Sequence, residues 1–307
     1  MQFKTTTIRE IQKRYHNQIS SLDLEILISH VTRKSREFSL AHPEQKLSFF
    51  QKFRLEKLVK RRIQQEPISY LTGSKEFFGL NFAVNRNTLI PRPETELIIE
   101  DILSSIPSSD EKTSTTFADI GTGSGNIIIS LASRLSILSP HASNPNSNFS
   151  FIGSDISRGA LRIAKKNSKT HGLKNSIKFF HSDLLKNKKL LSCINDQLTD
   201  RLVIIANLPY LSKEIYENSP KDVQGFEPKS ALFSPKRGLW HYEQLLQQIK
   251  KLSQKSKIKS RIRIYLEISP EQKEEIEEIA IEIFPNSKIE SQKDLAGKFR
   301  ICKINLQ

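Results

Sequence analysis

Residues 116–132 read TFADIGTGSGNIIISLA: a short apolar run, a glycine-rich turn and a second apolar segment. The pattern predicts a buried strand that ends at Ile120, a turn over 121–125 and a helix from Asn126. Glycine lets a turn approach a ligand closely, and the helix that follows offers free backbone N–H groups. The dinucleotide fingerprint needs its third glycine at position 126, where Asn126 stands, so the spacing argues against NAD or FAD.

An acidic residue follows the next apolar run, 149–154, where Asp155 stands. A carboxylate at the end of the second strand of such a unit is suited to binding ribose hydroxyls. The interval from Gly125 to Asp155 exceeds the roughly 20 residues of the dinucleotide pattern, and we assign the excess to a surface loop over 139–148. The alternative role of Asp155 is to cap a helix over 157–171.

From Thr95 onward, apolar strands alternate with helical stretches, which is typical of a parallel sheet covered on both faces. The predicted strands are 117–120, 151–154, 177–181, 202–206, 262–268, 288–293 and 299–305. Gly297 separates the last two, so we expect a hairpin and an antiparallel last strand. The predicted fold class is α/β, with a Rossmann-like, mostly parallel sheet. Because ligands of open α/β sheets bind beyond the carboxyl ends of the strands, one cleft is expected to collect the glycine turn, Asp155, Asp183 and Asn207.

The tetrad Asn207-Leu208-Pro209-Tyr210 follows the apolar run 202–206. Proline fixes its own φ and confines Leu208 to extended geometry, so the Asn207 side-chain oxygen and the Leu208 carbonyl can converge on one target. Two acceptors suit a planar NH₂ group, and Tyr210 could stack on its plane. Two such hydrogen bonds would hold the nitrogen of an amide or aromatic amine in an attacking geometry.

The first 72 residues differ in character from the rest. Apolar residues recur at helical intervals in 7–18, 21–32 and 43–65, with Pro43 opening the third segment. This pattern predicts a small N-terminal helical domain, with Phe49, Phe50 and Phe53 in its core. The predicted domains are 1–72, a hairpin linker over 73–94, and 95–307.

Charge and composition narrow the class of protein. The net charge is +15, and residues 1–72 hold 14 Lys/Arg against 7 Asp/Glu, which suits contact with nucleic acid or an acidic protein but equally a solvated face. The two cysteines and seven histidines show no metal spacing, so we predict no metal site. The sequence shows no membrane span or signal region, and we expect a cytoplasmic protein that does not meet a membrane.

Several motifs together resemble class I S-adenosylmethionine-dependent methyltransferases, and more narrowly the release factor glutamine methyltransferase family. They are 67–73 (PISYLTG), 76–79 (EFFG), 89–96 (LIPRPETE), the 121–125 turn, 207–210 (NLPY), 226–228 (FEP) with Ala231-Leu232, and 294–297 (DLAG) with Arg300. The segment 91–96 is the most family-specific of them.

The resemblance implies methyl transfer from S-adenosylmethionine to the side-chain amide nitrogen of the glutamine in the Gly-Gly-Gln loop of peptide chain release factors. The N-terminal helices would contact the release factor. In the site, the cofactor's methionine part would lie against Gly121, Thr122, Gly123, Ser124 and Gly125, its ribose on Asp155, and its adenine between Asp183 and Leu184. The glutamine would lie against Asn207, Leu208, Pro209 and Tyr210, with Asn207 also bordering the cofactor. We expect a monomer that works near the ribosome.

Two alternatives stay open at the level of sequence. The family usually carries Asn-Pro-Pro-Tyr, and the leucine at 208 gives the form found in ribosomal RNA adenine dimethyltransferases, with related tetrads in DNA adenine methylases. The first alternative is therefore an adenine-amino methyltransferase acting on RNA or DNA. The second is a catalytically lapsed cofactor-binding module that contacts RNA or the ribosome through its basic N-terminal domain.

Overall fold

The computed structural model describes residues 6–106, 113–138, 148–195, 199–255 and 261–306. Contacts divide the chain into two compact units, one of residues 1–74 with 220–226 and the other of 75–219 with 227–307. Most of the predicted 139–148 loop lies outside the described residues. The predicted domain limits at 72 and 95 stay a prediction.

Strands and helices alternate along most of the chain. The strands are β1 (Thr6–Thr7), β2 (Lys46–Leu47), β3 (Ser74–Phe77), β4 (Leu80–Ala83), β5 (Thr115–Ile120), β6 (Phe149–Asp155), β7 (Ile177–His181), β8 (Arg201–Ala206), β9 (Arg261–Glu267), β10 (Lys288–Lys293) and β11 (Phe299–Leu306). The helices are α1 (Ile8–Tyr15), α2 (Ser21–Thr32), α3 (Arg36–Ala41), α4 (Phe49–Ile63), α5 (Ile68–Thr72), α6 (Glu96–Ser104), α7 (Asn126–Leu138), α8 (Arg158–Thr170), α9 (Lys188–Asn195), α10 (Lys213–Glu217), α11 (Lys221–Phe226), α12 (Trp240–Lys255) and α13 (Lys273–Ile283).

The N-terminal helices α1, α2 and α4 bury a common apolar core that includes Ile8, Leu27 and Leu55. The predicted start of the third long helix at Pro43 is wrong. Residues 46–47 instead pair with β1, and α4 begins at Phe49, where the Ser48 hydroxyl accepts from Gln51 N and the Gln51 side chain accepts from Ser48 N. This reciprocal capping box satisfies two backbone donors that a start at Pro43 would not have secured.

The prediction that the α4 phenylalanines lie in the core is also wrong. Phe49, Phe50 and Phe53 are 59%, 80% and 64% exposed. Leu55, Leu58 and Val59 supply the buried stripe of α4 instead. An aromatic at helical spacing therefore did not identify the inward face, because the later aliphatic residues on the opposite side fill the core.

Seven strands of the second unit form one sheet in the order β10-β11-β9-β8-β5-β6-β7. The pairs β5–β6, β5–β8, β6–β7 and β8–β9 are parallel, whereas β11 runs antiparallel to both β9 and β10. The predicted mostly parallel α/β sheet with an antiparallel last strand is confirmed. Both faces are covered, with α12 and α13 on one and α6 and α7 on the other.

The chain reverses its direction of travel across the sheet between β5 and β8. From β5 it runs outward through β6 and β7, and then returns to place β8 on the other side of β5. The two strands pair in register from Thr115–Arg201 to Ile120–Ala206. Because these are neighbouring parallel strands, the segments that follow Ile120 and Ala206 emerge side by side at the switch point where open α/β sheets bind ligands.

Candidate active site

A cavity of about 320 Å³ opens at this switch point. Its walls come from the loops after β5, β6, β7 and β8, and from two further segments, 86–95 and 228–231. Of the residues that the sequence assigns to a site, those lining the cavity are Gly121, Thr122, Gly123, Ser124, Asp155, Asp183, Leu184, Asn207, Leu208 and Pro209. Gly125 and Tyr210 are not among the lining residues.

The turn after β5 has a backbone that requires glycine. Gly121, Gly123 and Gly125 have φ values of 80°, 57° and 81°, in the left-handed region that residues with a Cβ rarely adopt. A Cβ at Gly121 would stand 2.8 Å from Leu208 Cδ2, and one at Gly125 would stand 2.7 Å from Ile129 Cδ1. Gly125 therefore acts in the close packing of α7, and Gly121 brings the turn against the tetrad.

Asp155 stands at the end of β6, where its side chain connects the glycine turn to the start of α8 by hydrogen bonds. Its Oδ2 accepts from Gly123 N at 2.9 Å, and its Oδ1 accepts from Ser157 N at 2.7 Å. Burial raises the pKa of Asp155, and the two backbone hydrogen bonds oppose that rise. Ser157, through its own side chain, caps α8 by accepting from Ala160 N, so the capping role considered for Asp155 belongs mainly to Ser157.

A second carboxyl group, Asp119, lies beneath the turn at 1% exposure. Thr122 donates its hydroxyl to Asp119 Oδ2 at 2.6 Å, which ties the strand end to the turn. Burial raises the pKa of Asp119 to about 7, with a further increase from the charge on Asp155. Because Asp119 holds Thr122 in the turn and its pKa is raised, protonation of Asp119 near neutral pH would change the interactions that fix the turn.

The wall after β7 combines an exposed carboxylate with an apolar side chain. Asp183 is bound by Lys186 Nζ at 2.6 Å, and its side chain is 44% exposed. Leu184 is 8% exposed, has a φ of 50°, and is held by the Ser182 hydroxyl, which donates to its carbonyl at 2.6 Å. This pair offers one hydrogen-bonding group and one apolar surface to a flat ring.

The Asn207 carboxamide is fixed at its nitrogen end. Nδ2 donates to Thr95 Oγ1 at 3.3 Å, which leaves the oxygen for another donor. The adjacent Leu208 carbonyl lies 3.4 Å from the Tyr242 hydroxyl, which also donates to the Glu267 carbonyl. A carbonyl oxygen has two lone pairs, so Leu208 can accept a further bond. Two acceptors thus stand beside the glycine turn.

Tyr210 lies with its ring against the core and its hydroxyl directed at Glu267 Oε1, 3.3 Å away. Burial raises the pKa of Tyr210 well above its usual range, and Glu267 raises it further. Its carbonyl accepts from Gln272 Nε2 at 2.8 Å, and a Cβ at Gly238 would overlap that carbonyl. Gln272 and Gly238 therefore fix the position of the Tyr210 carbonyl at the C-terminal end of the tetrad.

Sequence reasoning gave no site role to several residues here, although Arg92, Thr95 and Glu227 lie in the quoted motifs 89–96 and 226–228. Thr95 and His241 line the cavity, Glu267 lies behind the tetrad, and Arg92 pairs with buried Glu227. Burial lowers the pKa of His241, and a hydrogen bond to the Pro209 carbonyl opposes that change. A lone carboxyl group in the apolar strand β9 was a usable signal for Glu267, since a buried charge in a sheet needs partners.

The donor set fits a nucleoside cofactor joined to a small charged tail. The left-handed glycine turn allows the close approach that such a tail needs, and the Asp155 carboxylate is suited to ribose hydroxyls. Beside it, the acceptor pair of the tetrad suits an NH₂ group. One cavity therefore has a wall suited to a nucleoside cofactor next to a wall suited to an NH₂ group.

Two protein-family models match the chain. Residues 8–73 match the PrmC N-terminal domain, and residues 111–279 match a methyltransferase domain. Release factor glutamine methyltransferase of Buchnera aphidicola subsp. Acyrthosiphon pisum is 36% identical over 250 residues, which is 81% of each chain. The enzyme of that name from Bacillus anthracis is 31% identical over 90% of this chain and 89% of its own.

A third relative and one solved structure complete the comparison. Release factor glutamine methyltransferase of Coxiella burnetii is 35% identical over 76% of this chain and 77% of its own. A solved structure described as human methyltransferase 10 domain containing protein aligns at 18% identity, with a TM-score of 0.48, over 75% of this chain and 89% of its own.

Proposed function

Because the chain belongs to the release factor glutamine methyltransferase family, we propose how its cavity performs that activity. The protein is an S-adenosylmethionine-dependent methyltransferase, and it methylates the side-chain amide nitrogen of the glutamine in the Gly-Gly-Gln loop of peptide chain release factors. One observation supports the assignment of residues most directly. The acceptor pair of Asn207 and Leu208 stands against the glycine turn, with Leu208 in contact range of Gly121.

The walls of the cavity support a set of cofactor-binding residues. S-Adenosylmethionine supplies an electrophilic methyl group when it is bound. The 121–125 turn would hold its methionine part, Asp155 its ribose, and Asp183 with Leu184 its adenine. Gly125 would contribute through the packing of the turn on α7 and not by contact, since it does not line the cavity.

The tetrad would position the substrate. The Asn207 side-chain oxygen and the Leu208 carbonyl would accept the two N–H bonds of the glutamine amide, which turns its nitrogen toward the cofactor side of the cavity. Pro209 holds the backbone extended. Tyr210 would support the tetrad from the core side and would not stack on the amide, because it does not line the cavity and its hydroxyl is bound to Glu267. The surplus proton on the methylated amide can pass to water, since a protonated amide is a strong acid, and positioning supplies most of the rate.

Replacing Asn207 by Ala tests this assignment. The variant loses an acceptor at the reacting nitrogen, and we expect kcat for a release factor to fall on the order of 10²-fold, as for loss of one transition-state hydrogen bond. Cofactor affinity should change little. Ile281→Ala, at an exposed side chain of α13 that does not line the cavity, is the control for an alanine substitution elsewhere in the same unit. Near-wild-type turnover by the Asn207 variant would remove this residue from the acceptor role.

The choice of substrate is tested by offering labelled S-adenosylmethionine with a release factor, ribosomal RNA or duplex DNA. We expect label in the release factor, and none in a release factor whose Gly-Gly-Gln glutamine is replaced by alanine. Transfer to RNA or DNA would favour the adenine-amino alternative. Transfer to none of the three would favour the lapsed module.

We further propose that α4 contributes the surface that binds the release factor. Phe50 and Phe53 are strongly exposed, and Arg54 and Lys57 are exposed within the same turns of the helix. Aromatic and arginine side chains are typical of protein interfaces, and exposed basic groups favour an acidic partner surface. This proposal replaces the predicted core role of the phenylalanines with a binding role.

The proposed location follows from the proposed substrate. Release factors act in translation, so we propose that the enzyme works in the cytoplasm, near the ribosome, and we further propose that it is a monomer. The proposed division of labour is substrate binding by residues 1–72, a linker over 73–94 and catalysis by 95–307. In the described ranges, no helix combines the length and apolar character that a membrane span requires.

A further inference from the structure

The two ends of an asparagine side chain have the same shape but opposite hydrogen-bonding properties. The oxygen accepts, whereas the nitrogen donates two bonds. An Asn207 turned by 180° would point its NH₂ group at the NH₂ group of the substrate, and neither could accept from the other. The acceptor role proposed for Asn207 therefore requires that something fixes which end faces the cavity.

Thr95 is placed to make that choice. It ends the short 3-10 turn Pro93–Thr95, is 1% exposed, and its Oγ1 lies 3.3 Å from Asn207 Nδ2. A hydroxyl can accept from Asn207 only with a lone pair, so its own proton must go elsewhere. If that proton pointed at Asn207 instead, the hydroxyl would attract the carboxamide oxygen and reverse the side chain.

Glu267 offers an acceptor for the Thr95 proton. The carboxyl group is 3% exposed at the end of β9, and it follows Leu266, the partner of Ala206 in β8, so Glu267 lies beside Asn207. Tyr210 donates to Oε1 at 3.3 Å, and Oε2 is buried with no hydrogen-bond partner among the described residues. Burial raises the pKa of Glu267 to about 7, and the Thr95 and Tyr210 hydroxyl groups oppose that rise. A buried carboxylate in this position draws hydroxyl protons toward itself.

We propose that Thr95 and Glu267 are positioning residues that set the orientation of the Asn207 carboxamide. The Thr95 hydroxyl donates to Glu267 and accepts from Asn207 Nδ2, which leaves Asn207 Oδ1 directed at the substrate nitrogen. The inference rests on the proposed function of Asn207 and adds two residues that act through the Asn207 carboxamide. It also gives a chemical reason for a threonine within the 91–96 segment.

Thr95→Val tests the relay, because it keeps the shape of the side chain and removes the hydroxyl. We expect kcat for release factor methylation to fall about 10- to 100-fold, which is at or below the loss of a whole transition-state hydrogen bond. The cofactor dissociation constant, measured by calorimetry, should stay within about threefold, since an Asn207 reversal leaves the glycine turn and Asp155 in place. Thr95→Ser, which keeps the hydroxyl, should recover most of the lost rate. Thr115→Val is the control for replacing a buried threonine, because Thr115 begins β5 and the cavity lies beyond the other end of that strand.

Glu267→Leu provides a second variant that does not depend on Thr95→Val folding well. It removes the acceptor for the Thr95 proton and should lower kcat by a similar factor. The double variant should be no slower than the worse single variant, because both changes release the same carboxamide. Multiplied losses in the double variant, or a failure of Thr95→Ser to recover the rate, would overturn the relay.

The outcomes separate the relay from the function on which it rests. If the wild-type protein methylates a release factor and Thr95→Val does so at the same kcat, the relay is wrong and the function stands. If the wild-type protein transfers no methyl group to a release factor, the proposed function fails first. A loss confined to KM or to thermal stability would assign Thr95 a purely structural role and would also overturn the proposal.

Discussion

At the scale of single residues, Asp155 is the clearest test of cofactor binding. Removing its side chain in Asp155→Ala deletes the proposed ribose acceptor and the bonds to Gly123 N and Ser157 N. We expect the dissociation constant for S-adenosylmethionine to rise at least about tenfold, in line with loss of a charge-assisted hydrogen bond, whereas kcat at saturating cofactor should change less. Asp155→Asn keeps one acceptor oxygen, so its dissociation constant for S-adenosylmethionine should lie between those of the wild type and Asp155→Ala. Unaltered binding by Asp155→Ala in calorimetry would exclude this carboxylate from the cofactor site.

Asp119 gives the protein a pH-dependent stability. Burial holds the pKa of Asp119 at about 7 in the folded state, against an ordinary value of 3.8, so between these two pH values the folded state keeps the proton and the unfolded state loses it. Stability relative to Asp119→Asn should therefore fall as pH rises from about 4 to 7, and then level off. At about 1.4 kcal/mol for each pKa unit, the whole effect is on the order of 4 kcal/mol.

Urea unfolding of the full chain at pH 5 and pH 8 measures this difference. Asp200→Asn is the control that should show no change between these pH values, because hydrogen bonds from Ser114 lower the pKa of that exposed carboxyl. Asp200 is therefore ionised in both the folded and the unfolded state at pH 5 and at pH 8. A wild-type minus Asp119→Asn difference that is the same at both pH values would refute a raised pKa at Asp119.

The residues that sequence could and could not identify differ in one physical respect. Asp155, Asp183 and Asn207 each follow a strand, and the rule that sites collect at strand ends needs only local pattern. Thr95 acquires its role through a partner 112 residues away, and Tyr210 meets Glu267 across 57 residues. Such contacts form only in the completed fold, so they cannot be predicted from a local sequence pattern.

At the scale of elements, the start of α4 depends on its capping box. Ser48→Ala removes the hydroxyl that accepts from Gln51 N at 3.2 Å, and such a loss costs about 1 kcal/mol. We expect backbone amides in the first turns of α4 to exchange hydrogen about fivefold faster, which corresponds to that free energy. Ser48→Thr keeps the cap and should exchange like the wild type. Equal exchange in Ser48→Ala would show that packing alone fixes this end.

Strands were easier to predict than the helices of the first unit. Buried parallel strands read as unbroken apolar runs, and the predicted 117–120 and 202–206 lie within β5 and β8. The first unit has short elements, and α3 and α5, of six and five residues, were not predicted. A helix of one or two turns carries too few apolar repeats to be distinguished from a capped turn.

At the scale of the whole molecule, the first unit should affect recognition of the release factor and not the chemistry. Replacing Phe50 and Phe53 together by alanine removes exposed aromatic area from α4 and should raise KM for the release factor about tenfold or more, as for loss of interface anchors. The values of kcat and of the cofactor dissociation constant should stay near those of the wild type. Leu22→Ala, at an exposed position on α2, is the control. An unchanged KM in the double variant would move the binding surface elsewhere.

Leu208, from the proposed substrate site, packs against Gly121, from the proposed cofactor site. If the turn shifts by a few tenths of an ångström when one ligand arrives, the leucine must follow, and the free energy of that adjustment is shared. Thermodynamic reciprocity then requires each ligand to change the other's affinity by the same factor. A smaller side chain at 208 would loosen this connection, so the leucine has a bearing on cooperativity as well as on shape.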